Sequence, residues 1–245
     1  MRNLRGSYAK PAAVLVVIVG LITVAVVLGV RNAPQSDQAS AEGSTRSASS
    51  SKQVTPPAAP PEGVQLPEGA SSVEGHPTQF PYTDLGAVAT TVAVARAQVG
   101  FDYDQAAGIA DTYASEDDRD TFEQRGAKAV TDRRAEAGVT QNGQIPPATA
   151  YAVTPVAFTV DELDTDYYAV NVLSYVTLTT ATSATKDFLY SGTQLLTWED
   201  GDWKLVRGSD EDHQQLLEAG QPQPAAPGSA AFDRSGWILL NAEQQ

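Results

Sequence analysis

The chain has 245 residues, a formal net charge of −14 and no cysteine, and these properties exclude several classes of function. A nucleic-acid-binding protein needs a basic face that displaces counterions from phosphates, and 16 Lys and Arg against 30 Asp and Glu do not favour one. Without cysteine the chain has no disulfide, zinc–cysteine site, thiol catalysis or lipidated cysteine anchor. We therefore expect no nucleic-acid partner.

Residues 12–30 form the most apolar segment of the chain. These 19 residues carry no charge, and Thr23 is the only one with a polar side chain. As a helix they span roughly 28 Å, close to the ~30 Å hydrocarbon core of a bilayer. Basic residues precede the segment, so the positive-inside rule places residues 1–11 in the cytoplasm and the rest of the chain outside. We expect a single-pass cell-membrane protein that contacts the lipid bilayer through residues 12–30.

A cleaved signal peptide is the alternative interpretation of this apolar segment. The apolar core of a signal peptide usually has about 7–15 residues and is followed at once by a small-x-small cleavage site. The nearest such tripeptide, residues 39–41, lies about ten residues too far along, and Arg31 and Pro34 disfavour nearer sites. These features favour an uncleaved anchor.

Residues 31–75 are rich in Pro, Ser and Ala and contain few large apolar side chains. Such a composition cannot form a core, so we expect a disordered tether that reaches on the order of 40 Å as a coil. The acidity lies beyond the tether, because residues 76–217 contain 9 basic and 22 acidic residues. We expect those residues to form an extracytoplasmic domain that anionic lipid repels.

Three helices are predicted at the start of this domain. Thr83 is a good N-cap, and apolar residues follow it at helical spacing. Asp104 is the predicted cap of a short second helix that ends at Tyr113. A charged third helix would begin after Ser115 and end near Gly138. The apolar positions of the first helix are Leu85, Val88, Val92 and Val99.

Four strands are predicted after the helices, because apolar and polar residues alternate with a period of two. Asp200-Gly201 is typical of a tight hairpin turn between the last two strands. Helices followed by antiparallel strands predict an α+β fold with the helices on one face of the sheet. The predicted strands are residues 156–160, 167–180, 187–199 and 203–208.

The segment LLTWEDGDWKLVRGS, residues 195–209, resembles the closing hairpin of nuclear-transport-factor-2-like (cystatin-like) domains. In those domains a strand that ends in an aromatic residue turns at Asp-Gly into a Trp-Lys-Leu strand. The resemblance implies that residues 76–217 form helices packed on a curved four-stranded antiparallel sheet. It also implies that a homo-oligomer formed through the open face of the sheet is compatible with the fold.

The anchor, the tether and the segment FPYTDLGAVATTVAVA, residues 80–95, together resemble membrane-anchored extracytoplasmic proteins of actinobacterial conjugation and type IV secretion machines. The resemblance implies a non-enzymatic protein-interaction scaffold whose partners are other membrane or envelope proteins. It supplies no catalytic motif. We therefore expect no catalytic, cofactor-binding or metal-binding residues.

A cavity-containing small-molecule-binding protein, or an isomerase- or dehydratase-like enzyme of the cell envelope, is the alternative function. Such an enzyme needs a buried acid or base with an aromatic or histidine partner. The candidates are His76, His213 and the cluster Asp102-Tyr103-Asp104. A solvated surface position accounts for each histidine, and capping and packing account for the cluster.

Two acidic runs and a tryptophan pair have structural interpretations as well. Residues 116–120 and 161–166 are rich in Asp and Glu, which could bind Ca²⁺ in principle, but neither run has the glycine and distal glutamate of an EF-hand loop. Trp198 and Trp203 flank the predicted hairpin turn, and we expect a cross-strand pair that fastens the end of the sheet. Stacking on a sugar or a peptide is the alternative role of the tryptophans.

Residues 218–245 form a predicted flexible tail with one short apolar segment. An apolar segment on a flexible linker commonly docks, either back onto its own domain, for instance as an added strand, or onto a partner. Both alternatives stay open on the sequence. The candidate partner-binding residues are Phe232, Trp237, Ile238, Leu239 and Leu240.

Overall fold

A computed structural model describes residues 63–242 and, as backbone only, Val26–Val27. The predicted cytoplasmic N-terminus, the rest of the predicted membrane span at residues 12–30 and most of the predicted tether lie outside the described residues. The dipeptide lies within the predicted span, and it pairs as a strand with residues 188–189 instead of being helical. In the described part of the chain, no helix is both long and apolar enough to span a bilayer.

The helices lie in two groups along the chain. The first three occupy the predicted regions, and Thr83 caps the first one by accepting the N–H of Gly86. The second helix is capped by Asp102 and not by Asp104, because the Asp102 carboxylate accepts the N–H groups of Asp104 and Gln105. The helices are α1 (Asp84–Ala97), α2 (Tyr103–Tyr113), α3 (Arg119–Glu136), α4 (Asp210–Ala219) and α5 (Ala230–Arg234).

The strands form one antiparallel sheet and one small hairpin. The sheet has the order β1-β6-β5-β4-β8, with β7 also paired to β6, and the hairpin pairs β2 with β3. The strands are β1 (Val26–Val27), β2 (Ser71–Val73), β3 (His76–Thr78), β4 (Ala150–Asp164), β5 (Tyr167–Thr179), β6 (Thr185–Glu199), β7 (Asp202–Val206) and β8 (Ile238–Leu239).

The α+β class is confirmed, and the predicted number of four strands is wrong. Between residues 63 and 242 the sheet has five strands, and the fifth is β8 from the C-terminal part of the chain. The reason is that β4 is an edge strand, whose unpaired N–H and C=O groups accept a further strand. A strand of two residues is too short to show a period of two in the sequence.

The two faces of the sheet have different covers. The face towards α1 contributes Phe158, Val172 and Leu196 to a core with the helices. The opposite face, which we call the outer face, contributes Leu173 and Leu189 to a second cluster with C-terminal residues. The sheet therefore lies between the helices and the C-terminal part of the chain.

The predicted turn between β6 and β7 is confirmed. Asp200 and Gly201 both have positive φ angles, 52° and 82°, as a tight two-residue hairpin turn requires. Trp198 lies opposite Trp203 in the ladder between β6 and β7, so the predicted cross-strand pair is confirmed too.

Candidate interaction surfaces

The C-terminal segment, residues 230–240, lies against its own domain. Phe232 and Trp237 are buried in the cluster on the outer face of the sheet. Leu240 is only 1% exposed and belongs to the cluster on the helix side, so the segment passes around the edge of the sheet. Leu239 is half-buried, and Ile238 is 42% exposed. Of the five candidate residues, Ile238 is thus the most accessible to a partner.

Backbone hydrogen bonds join the C-terminal segment both to the sheet and to the start of the described chain. Strand β8 pairs with β4 through Ile238 and Leu239, and the Leu240 N–H donates to the Val156 carbonyl at 2.9 Å. On its other side, the Val64 N–H donates to the Leu239 carbonyl at 2.7 Å. The last residues of the predicted tether and the C-terminal segment therefore meet at one edge of the sheet.

A polar row on the outer face fastens the linker that precedes this segment. Asn171, only 4% exposed, lies between Thr159 and Thr193 on neighbouring strands and hydrogen-bonds to both. Gln221 donates to the Thr193 hydroxyl at 3.0 Å, and the Trp237 indole donates to the backbone of the same linker. The linker is thus held by side-chain hydrogen bonds, while the segment after it is held by backbone hydrogen bonds and apolar contacts.

Four aromatic rings meet at the end of the sheet that carries the β6–β7 turn. Trp203 is 1% exposed, and its ring centroid lies 5.2 Å from Trp198, 5.3 Å from Tyr168 and 5.9 Å from Tyr82. Tyr82 also lies 4.9 Å from Trp198, yet it is 53% exposed. Trp203 is therefore the buried centre of a cluster whose outermost ring, Tyr82, faces solvent.

Hydrogen bonds fix the backbone next to Tyr82. The Trp203 indole donates to the Pro81 carbonyl at 2.9 Å, and the buried Asp202 carboxylate accepts the Phe80 N–H at 3.2 Å. A Cβ on Gly86 would lie 1.9 Å from the Pro81 oxygen, so α1 can approach this backbone only because residue 86 has no side chain.

Acidic residues are frequent in the chain segments that carry the aromatic cluster. Residues 80–86, 160–168 and 197–203 contain eight acidic residues and no basic one. Burial, and then the negative charges of Glu162, Asp84 and Asp166, raise the pKa of Tyr168. We call the four rings and these carboxylates the aromatic–acidic end. The eight residues are Asp84, Asp161, Glu162, Asp164, Asp166, Glu199, Asp200 and Asp202.

The space between α1 and the sheet is filled with side chains. Phe158, Val170 and Trp203 from the sheet are fully buried there with Val88 and Val92 of α1. This layer is apolar, and it leaves the surfaces of the domain as the places where chemistry or binding would occur.

The buried charges are engaged with backbone groups. Among the described residues, Arg134 and Asp202 are the only charged side chains that are buried. Arg134 donates to the carbonyls of Phe101, Thr140 and Gly143. Within residues 63–242, no three His, Asp or Glu side chains come together as a metal site would require.

The sequence-predicted catalytic candidates are placed apart from one another. His76 is in β3, with its ring 6.2 Å from Tyr113, and the His213 ring lies 2.8 Å from the Arg207 carbonyl. The Asp102 carboxylate caps α2, and the Tyr103 hydroxyl bonds to Thr131. The structure therefore gives Asp102 and Tyr103 structural contacts and does not bring either histidine to them.

The two acidic runs lie at different places on the domain. In the first, the Asp118 carboxylate accepts the Arg207 N–H, which ties the start of α3 to the end of β7. The second run comprises the end of β4 and the turn into β5, and it belongs to the aromatic–acidic end. Glu162 and Asp166 of this run act on Tyr168 of the aromatic cluster through their negative charge.

Two further side chains have shifted pKa values with clear causes. Burial, and then the negative charge of Asp202, raise the pKa of Tyr113 to about 12, and its hydroxyl donates to the Pro77 carbonyl. Burial tends to raise the pKa of Asp212, but hydrogen bonds from Ser209 and Tyr167 outweigh burial and lower it. Both groups act in structural contacts.

An open groove lies between the β2–β3 hairpin and α1. It has a volume of about 1150 Å³, and its apolar side includes Phe80, Val92 and Val99. Glu68, His76 and Arg96 supply its polar side chains. The groove is wide and faces solvent, unlike an enclosed substrate pocket.

No family model and no curated protein matches this chain. Aln2 from a Streptomyces species is similar with a TM-score of 0.35 and 14% identity, over 51% of this chain and 88% of that chain. The intermembrane-space region of the chloroplast protein ARC6 is similar with a TM-score of 0.32 and 17% identity, over 53% of this chain and 97% of that one. At these TM-scores neither neighbour assigns a fold family or a function.

Sequence reasoning missed two partners of the features it had identified. The contact of Tyr82 with the tryptophan pair was not predicted from the sequence. The only local signal is that Tyr82 directly precedes the N-cap Thr83, where the chain enters α1. Val64 was assigned to the tether, and no sequence pattern marks its pairing beside Leu240, because a single bridge has no period.

Proposed function

We propose that the chain is a non-enzymatic single-pass membrane protein whose extracytoplasmic domain, of the nuclear-transport-factor-2-like type, is a protein-interaction scaffold in conjugation or secretion. The observation that carries the proposal is the contrast between the interior and the surface. Apolar side chains fill the layer between α1 and the sheet. Exposed apolar groups, among them Tyr82 and Ile238, lie on the outside of the domain.

The mechanism of such a scaffold is tethering. Residues 12–30 would fix the protein in the bilayer, and residues 31–75 would set the reach of the domain. Confinement near a membrane raises the local concentration of the domain, so weak contacts with other membrane or envelope proteins become effective. A second copy of the chain is one such partner.

A purification from membranes tests this function. Cells would make the full chain with an N-terminal tag, membranes would be cross-linked mildly, and co-purifying proteins would be identified by mass spectrometry. The matched control is the chain cut after residue 62, which keeps the proposed anchor and most of the tether but lacks the domain. We expect other envelope proteins to co-purify with the full chain and not with the control. A scaffold function would be contradicted if the same proteins co-purified with both chains, or if no protein other than the chain itself was recovered.

The open groove between the β2–β3 hairpin and α1 favours the alternative function, a small-molecule-binding protein. In that case an envelope metabolite would raise the melting temperature of the purified full chain. Replacing the half-buried Val99 at the apolar side of the groove by Trp would abolish that rise. The scaffold proposal predicts no such ligand.

A further inference from the structure

We propose that the aromatic–acidic end is a docking surface for a basic segment of a partner protein, with Lys or Arg side chains over the rings of Tyr82 and Trp198. This inference rests on the proposed scaffold function and adds the chemistry of the partner. The surface combines an exposed, fixed aromatic ring with segments that carry eight carboxylates, of which only the buried Asp202 forms a salt bridge, to Lys204, among the described residues.

The aromatic part of the surface is held in place before any partner binds. Tyr82 is 53% exposed, and its ring lies nearly parallel to that of Trp203, at 20°. The backbone on its N-terminal side is pinned by the hydrogen bonds of Pro81 and Phe80 to the β7 strand. A surface fixed in advance loses little conformational entropy when it binds.

The charge of the surface selects the partner. A cation is attracted to the face of a Trp or Tyr ring, and neighbouring carboxylates strengthen that attraction. Lys204, which follows the hairpin, already donates to the Thr112 carbonyl at 3.0 Å and lies 3.8 Å from Asp202. The carboxylates at the exposed rim, such as Glu162, Glu199 and Asp200, thus have no basic neighbour in their own segments.

A peptide-binding measurement on the full chain in uncharged detergent micelles tests the inference. The probe is a fluorescein-labelled peptide of alternating Lys and Ala, compared with the matched Glu and Ala peptide, and anisotropy gives Kd at two salt concentrations. We expect the Lys peptide alone to bind. Tyr82→Ala should weaken its binding about 2–10-fold. The triple variant Glu162→Gln, Glu199→Gln and Asp200→Asn should weaken binding about tenfold and reduce its salt dependence.

The matched control removes the same three charges elsewhere. The control variant combines Glu116→Gln and Asp117→Asn, in the turn before α3, with Glu123→Gln in α3. Asp118 in the same turn contacts the end of β7 away from the hairpin turn. The length of β7 separates the two places by roughly 14 Å, more than a Debye length at physiological salt. Binding to this control should change less than about twofold. Asp200→Asn preserves the turn, since Asn tolerates positive φ.

Three results would overturn the inference. The first is an equal loss of Lys-peptide binding in both triple variants, and the second is no binding of the Lys peptide to the unaltered chain. The third is that Tyr82 binds soluble N-acetylglucosamine oligomers instead of the Lys peptide. The scaffold function would stand, with its surface elsewhere, if envelope proteins co-purified at unchanged levels with both altered chains. Those chains are Tyr82→Ala and the Glu162/Glu199/Asp200 triple variant. If no envelope protein co-purified with the unaltered chain, the scaffold function itself would be refuted.

Discussion

Val64 and Leu240 lie side by side in parallel register, one near the start of the described domain and one near its end. The Asn241 N–H donates to the Val64 carbonyl at 2.9 Å, and the Leu240 side chain is buried with the helix-side core. The C-terminal segment therefore closes the edge of the sheet at the point where the predicted tether reaches the domain.

Leu240→Ala should destabilise the domain by about 2–4 kcal/mol, because it removes a buried side chain and leaves a cavity in the helix-side core. The matched control is Ile238→Ala, two residues earlier in β8, which should cost about 1 kcal/mol or less since Ile238 is 42% exposed. Thermal unfolding of the full chain in micelles, followed by tryptophan fluorescence, measures both. Equal losses would show that the segment is not docked as described.

Gly86→Ala should destabilise the domain by about 1–3 kcal/mol, although alanine is the better helix former. Its Cβ would lie 1.9 Å from the Pro81 oxygen and 3.0 Å from the Trp203 indole nitrogen. Gly108→Ala in α2 is the control, because the nearest atom there is 3.6 Å away. That change should be neutral or stabilising by up to about 1 kcal/mol, and a destabilisation similar to that of Gly86→Ala would contradict the packing described.

Asp212→Asn should weaken α4 by about 1 kcal/mol at neutral pH, because the Asp212 carboxylate accepts the Ser209 N–H in the capping box of this helix. The pKa of Asp212 is lowered in the folded chain, so its contribution is present above the ordinary value of 3.8 and is lost as the pH falls through the lower folded value. Amide exchange of residues 210–219 between pH 6 and pH 3 measures this. The difference in amide exchange between the unaltered and the Asp212→Asn chains should shrink towards low pH. A difference that does not depend on pH would show that the charge of Asp212 does not stabilise α4.

Tyr113→Phe should cost about 1 kcal/mol at neutral pH, since it removes a hydrogen bond to the Pro77 carbonyl. The pKa of Tyr113 is raised to about 12 from 10.0, so the stability that the neutral hydroxyl contributes is complete below pH 10 and is lost as the pH rises through about 12. Melting temperatures of both chains from pH 8 to pH 12 should therefore converge. Curves that stay parallel would refute the assigned pKa.

The local signals in the sequence predicted the elements that those signals control. Thr83 and Asp200-Gly201 act through neighbouring residues, so the start of α1 and the β6–β7 turn could be located without a structure. The same reasoning found the Trp198–Trp203 pair, because register follows from the length of the turn. Asp102 in place of Asp104 as the α2 cap shows that helix ends are less certain than helix centres.

The features that depend on distant residues could not be predicted. The sequence identifies the C-terminal residues as apolar but leaves open whether Leu240 docks in its own domain, because one free edge of β4 decides it. The contact between Tyr82 and Trp198 joins residues more than a hundred positions apart, and neither has a local pattern that names the other. Both candidate surfaces thus combine parts that only the fold brings together.

The most direct test of the central claim, that this domain works through its surface on other envelope proteins, is site-specific photo-cross-linking of the full chain in cells. A photoreactive residue would replace Tyr82, Ile238 or, as a control on α4, Leu217, which is 57% exposed. We predict adducts with other envelope proteins from position 82 or 238 and none from position 217. Adducts only between copies of the chain, or none from any of the three positions, would contradict the scaffold account.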